Sequence, residues 1–304
     1  MPGALLRRRI ARTVAIATVL LCSAVARADD PPAPAATLRN LPITITAPAR
    51  YRRVARKVET ICREEVPRIA TELGLSSIAP IEIIVTDNVE PFNQALGGEL
   101  PGWGIAFALL EENRILVDVR RATREFNSLD EVVPHELSHL LVHQRAPDVR
   151  FPIWFLEGLA QWQAREWSMV DQWQLMQGVW SKTSPRLIDL TSKYPVDESR
   201  AQQSYRVAYA GFTDLFAEVG FDDLAPFLDD AQRLGSFEAG FRDYFGYSVM
   251  EYAAFFQNDL EKTYGSGFMF LQSGPLLAFA ALLFIAVIIR YWIRRRRKFA
   301  HLDD

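Results

Sequence analysis

His135, Glu136 and His139 form a His-Glu-x-x-His pattern. On a helix, residues four apart share one face, so the two imidazoles can grip one cation. Glu136 follows the first imidazole and can reach a water beside that cation. Zinc suits such a site, because it makes hydroxide available from water at a pKa of about 7. Glu136 would then take the water proton and pass it to a leaving group. Four histidines in 304 residues make this spacing rare by accident, with roughly 0.006 chance matches expected for the short pattern.

Two imidazoles leave a catalytic zinc one protein ligand short. His143 lies a further turn along, about 6 Å in rise, which suits a supporting or exposed role. Glu157 is the preferred third ligand. It sits in the apolar run Trp154-Phe155-Leu156-Glu157-Gly158-Leu159-Ala160. A carboxylate there is costly unless paired or bound to metal; its plainer reading is an exposed acid on one helix face.

The elements that must position these residues are read from periodicity. Leu129–Gln144 has helical spacing, and Pro134 implies either a helix that starts late or a kink before His135. Leu41–Thr46 and Ile81–Thr86 alternate as strands, and Trp103–Leu109 and Arg114–Arg120 read as two more. Tyr51–Leu73 reads as an amphipathic helix stopped by Gly74. From Leu129 onward the pattern is helical. Strands first and helices afterwards predict an α+β fold, with one domain over residues 41–264.

The net charge of −3 averages unlike pieces: +5 over residues 1–28, −12 over 29–266 and +4 over 267–304. The acidic middle excludes a nucleic-acid binder, which needs a basic footprint. Residues 1–28 read as a signal peptide, with a basic start, a short apolar run and an Ala26-Arg27-Ala28 cleavage site. Residues 29–40 form an irregular Pro- and Ala-rich leader. Residues 268–293 predict one transmembrane helix, and residues 294–304 a basic cytoplasmic tail. This orientation implies a single-pass protein of a bacterial inner membrane, with the 41–264 domain outside the cytoplasm. Cys62 lies on an apolar helical stripe and reads as a buried, inert thiol.

His135-Glu136-x-x-His139, followed by Glu157-Gly158-Leu159-Ala160, resembles the gluzincin metallopeptidases, and most closely their small peptidase MA-like branch. The resemblance implies a zincin-like domain, with zinc held by His135, His139 and Glu157 and water activated by Glu136. It implies an edge strand near Trp103–Leu109 that takes up an extended peptide, and a helical lower half. It also implies an oxyanion-stabilising side chain from the later helices. Tyr209 is favoured for that role with Tyr205 second, or Tyr209 is a core residue bonded elsewhere. Thermolysin-like members carry Asp four residues after the ligand Glu, where this chain has Gln161. A Gly-x-Met-Glu-Asn signature is absent, so an endopeptidase is favoured over an aminopeptidase. The implied activity is hydrolysis of peptide or protein substrates of the cell envelope. The alternative is an inactive zincin-fold protein that binds peptides or serves as a scaffold there.

Overall fold

A computed structural model describes residues 36–37, 41–95, 104–122, 129–192, 198–265 and 282–285. The expected signal peptide (1–28), the tail (294–304) and most of the leader (29–40) lie outside the described residues, as does the expected span 268–293 apart from 282–285.

The sheet has five strands: β1 (Ala36–Thr37), β2 (Ile43–Thr46), β3 (Ile81–Thr86), β4 (Ala106–Leu109) and β5 (Arg114–Asp118). Their order is β1-β2-β3-β5-β4. β2, β3 and β5 run parallel, while β1 and β4 pair antiparallel at the two edges. In β3 every second side chain is buried, namely Ile81, Ile83 and Val85, as period-two alternation requires. β5 stops at Asp118, two residues short of the expected strand end. The Asp118 carboxylate accepts the Arg120 N–H at 2.9 Å and starts a helical turn, α2 below.

The helices that matter to the site are α1 (Arg52–Glu72), α2 (Val119–Ala122), α3 (Leu129–Arg145), α4 (Ile153–Ala164), α5 (Met169–Trp180) and α6 (Glu198–Ala217). After them come α7 (Leu224–Leu234), α8 (Phe237–Phe245) and α9 (Val249–Gly265). A short helix, Glu90–Ala95, follows β3. α1 runs through Pro67 and gives way to Gly74, whose φ of 68° is the left-handed conformation that Gly adopts without strain. α3 starts at Leu129, so Pro134 lies inside it and not in its first turn.

One hydrophobic core extends from Ile43 on β2 to Leu260 on α9. Its lower half is aromatic: Phe155 packs on Phe212, Phe227 and Phe237 with ring centroids 5.1 to 5.6 Å apart. That packing fixes α4, the helix carrying Glu157, against α6, α7 and α8.

The expected α+β class with a transmembrane helix is corrected by these elements. The protein is mostly helical with a small mixed sheet. The strands between residues 41 and 120 have at most six residues each, whereas α1 and α6 have 21 and 20. The four expected strands are present, three of them shorter than expected. No helix among the described residues is long and apolar enough to cross a membrane. The last long one, α9, is amphipathic: it carries Glu251, Asp259, Glu261 and Lys262 and buries Tyr252, Phe256 and Leu260.

Candidate metal centre

α3 places His135 and His139 one turn apart, with ring centroids 4.9 Å apart in an edge-on arrangement. Val133, Leu137, Leu140 and Leu141 on the same helix are buried, which anchors its other faces. α4 packs across α3 and brings Glu157 to the pair. Glu157 Oε2 lies 3.3 Å from His135 Nε2 and 3.8 Å from His139 Nε2. One potential ligand atom from each residue falls within 4.8 Å of the other two. Ligands at about 2.1 Å around a tetrahedral zinc lie about 3.4 Å apart, so the three side chains have the separation a zinc ion needs. Glu157 Oε2 is also buried without a hydrogen-bond donor. A buried carboxylate oxygen with no donor is destabilising, and a cation at this point removes that cost. On both counts the three residues could hold a metal ion such as zinc.

The electrostatics are those of a crowded site whose side chains, His135, Glu136, His139 and Glu157, are each partly buried. Burial pulls the His135 imidazole down, but the Glu166 and Glu157 carboxylates more than reverse this and hold it well above the usual histidine range. Burial pushes His139 down to about 4. Burial raises Glu157, yet His139 and His135 together bring it below its ordinary value. Glu136 is pushed up to about 7, chiefly by burial, with Glu157 adding to the rise. A pKa near 7 is suited to a group that must take and return a proton at neutral pH.

Glu136 touches the edge of the sheet. Its carboxylate accepts a hydrogen bond from the backbone N–H of Ala108 on β4. The Asp118 N–H donates to the Ile105 carbonyl at 2.8 Å, and Ala106 stands opposite Val117. Alternation in an antiparallel pair then turns the N–H and C=O groups of Ala106 and Ala108 away from β5. Of these groups, the Ala108 N–H is the one that Glu136 on α3 takes up. β4 is an edge strand, but it begins at Ala106, inside the expected Trp103–Leu109; residues 101–103 lie outside the described residues.

The structure separates the two tyrosines. Tyr205 is raised by burial and by the charges of Glu157, Glu136 and Glu166, so its hydroxyl lies within their field and keeps its proton. Tyr209, the favoured candidate, is raised by burial alone. Its ring stacks on Trp167, with centroids 4.2 Å apart and planes 4° apart. Tyr205 is thus the tyrosine whose hydroxyl feels the charges of Glu157, Glu136 and Glu166. His143 is half-buried on α3 and is not one of the three grouped ligands.

Sequence reading missed Glu166. Its Oε1 lies 2.9 Å from His135 Nδ1, on the ring edge opposite the one facing Glu157. A carboxylate there fixes the ring and raises the basicity of the other nitrogen. Glu166 lies nine residues beyond Glu157, past the end of α4, where the chain reverses through Arg165 at φ 57°. No glycine marks that turn, so the sequence carried no signal for it. Gln161 takes a different part: its amide donates to the carbonyls of Glu157 at 3.0 Å and Tyr205 at 2.9 Å. It thus ties the ligand-bearing helix to the tyrosine-bearing one.

No protein-family model matches this chain, and no curated protein matches it.

Proposed function

We propose that this protein is a zinc-dependent peptidase of the gluzincin type, in which Glu136 acts on water and peptide bonds are cut. The observation that carries the reading is the convergence of His135, His139 and Glu157 beside the partly buried carboxylate of Glu136. A purely structural zinc site has no use for that carboxylate. The sequence of residues 1–28 supports a setting outside the cytoplasm.

When bound, zinc supplies Lewis acidity to a carbonyl and to water. The chain's own residues do the rest. Glu136 takes the proton from the attacking water and delivers it to the leaving amine. The Tyr205 hydroxyl, kept protonated by burial and by neighbouring carboxylates, donates a hydrogen bond to the developing oxyanion. The outward backbone groups of Ala106 and Ala108 offer an extended peptide a strand to pair with. Because Glu136 holds the Ala108 N–H, a peptide would pair with the Ala106 N–H and C=O and the Ala108 C=O. Glu166 keeps the His135 ring in one orientation throughout.

The test is digestion of a diverse peptide library by the wild type and by Glu136→Gln. The reading predicts cleavage by the wild type and its loss in the variant. Identical uncleaved profiles from both proteins, each loaded with zinc, would favour a peptide-binding or scaffold role instead.

A further inference from the structure

α1 supplies no ligand to the metal centre, yet it carries a side chain that reaches the turn holding one of the centre's supports. The Arg68 guanidinium donates from Nη2 to the Gln163 carbonyl at 2.5 Å, from Nη1 to Glu72 at 2.6 Å and from Nε to Glu65 at 2.7 Å. Gln163 is held a second time, because its side-chain amide donates to Glu72 Oε2 at 3.0 Å. Gln163 is the penultimate residue of α4, and carbonyls in a last turn lack donors within their own helix. A cation at that end is favoured by the helix dipole. Arg68 meets both needs from outside.

Beyond Gln163 the chain makes the turn that aims Glu166. Arg165 takes a left-handed conformation at φ 57°, which disfavours residues other than glycine, asparagine and aspartate. The Glu166 N–H closes back on the Gln161 carbonyl at 3.1 Å. Glu166 then reaches His135 Nδ1 at 2.9 Å. A side chain that fixes the start of this turn fixes where the carboxylate ends up.

We propose that Arg68 is a positioning residue of the metal centre: it clamps the last turn of α4 and thereby holds Glu166 against His135. The proposal rests on the reading of His135, His139 and Glu157 as a zinc site. Arginine is required, because one planar fork serves two carboxylates and a carbonyl together, and an ammonium cannot present donors in that geometry.

The experiment is a double-mutant cycle on zinc affinity, measured by chelator competition with Arg68→Lys, Glu166→Gln and the double variant. Glu166→Gln is expected to weaken zinc binding by about 10- to 100-fold, as loss of a carboxylate behind a ligating histidine does. Arg68→Lys is expected to weaken it by about 10-fold, and the double variant to bind no more weakly than Glu166→Gln alone. Independent effects that multiply, or an Arg68→Lys affinity equal to the wild type, would overturn the proposal. Lysine keeps the charge, and far-ultraviolet circular dichroism confirms that the variant is folded. A second readout uses metal-free protein. The His135 Nδ1 proton resonance, protected from exchange by Glu166 in the wild type, should broaden or vanish in Arg68→Lys. An unchanged resonance would also overturn the proposal. If the wild type binds no zinc, the reading of a zinc site falls, and the proton resonance still decides whether Arg68 positions Glu166.

Discussion

Gly158 sits beside Glu157, where α4 packs directly against the backbone of α6. A Cβ built there would lie 2.4 Å from the Ala208 carbonyl oxygen and 2.5 Å from Phe212 Cβ. Ordinary contact needs about 3.4 Å or more, so Gly158→Ala forces the helices apart by about 1 Å. The obstacle is backbone on α6, which cannot rotate out of the way. Overpacking of this kind costs about 1–3 kcal/mol, and the upper part applies because two atoms are struck at once. Alanine's better helix propensity returns about 1 kcal/mol. The net loss is about 2 kcal/mol, or a fall in Tm of roughly 4–8 °C for a chain of this size. Function should suffer separately. α6 carries Tyr205, and a displacement of 1 Å near reacting atoms can cost about 10²-fold in rate. Zinc affinity should change little, since all three ligands lie on α3 and α4. Differential scanning calorimetry, chelator competition and peptide hydrolysis measure the three effects. A Gly158→Ala protein as stable as the wild type and fully active would refute the reasoning.

Three further predictions concern single groups. Tyr205→Phe should lower kcat by about 10²-fold, the cost of one oxyanion donor, whereas Tyr209→Phe should change it by less than about threefold, because the Trp167 stack survives; equal losses would contradict the assignment to Tyr205. In metal-free protein the Glu136 pKa of about 7 lies above its unfolded value, so native protein holds an extra proton between the two and loses stability as pH rises through that window. Glu136→Gln removes the effect, and its stability relative to the wild type should grow by about 3 kcal/mol from pH 4.5 to 8; a flat difference in urea midpoints across that range would show that burial does not penalise the carboxylate. Cys62 is buried and its thiol is pushed up to about 12, so a thiol reagent at pH 8 should leave native protein unlabelled and label it fully in denaturant, measured by mass spectrometry.

The grouping of His135, His139 and Glu157 was legible because a spacing of four residues becomes one helix face. His135 and His139 lie four apart on α3 and face one point, and Glu157 stood out as an acid in an apolar run. The support behind His135 was not legible. Glu166 depends on a left-handed turn at Arg165 and on a clamp from Arg68, which lies 95 residues before Gln163, and neither leaves a local pattern. Tyr205 and Tyr209 share one helical face, so spacing could not choose between them; Tyr209 stacks on Trp167, and Tyr205 feels the charges of Glu157, Glu136 and Glu166. β3 was readable from its alternation. β4 and β5 are shorter than their propensities suggest, because a capping aspartate at Asp118 ends one strand through a side-chain hydrogen bond that propensity does not encode. The transmembrane helix rested on hydropathy over residues 268–293, of which only 282–285 are described, and no helix among the described residues is long and apolar enough to cross a membrane.

The central claim is that His135, His139 and Glu157 bind a zinc ion which Glu136 uses without holding it. Titration of metal-free wild type, His139→Ala and Glu136→Gln with zinc, and then peptide hydrolysis on the same samples, tests it most directly. The account predicts one tight zinc site in the wild type and in Glu136→Gln, its loss in His139→Ala, and cleavage by the wild type alone. Zinc binding unaffected by His139→Ala, or cleavage by Glu136→Gln at the wild-type rate, would contradict it.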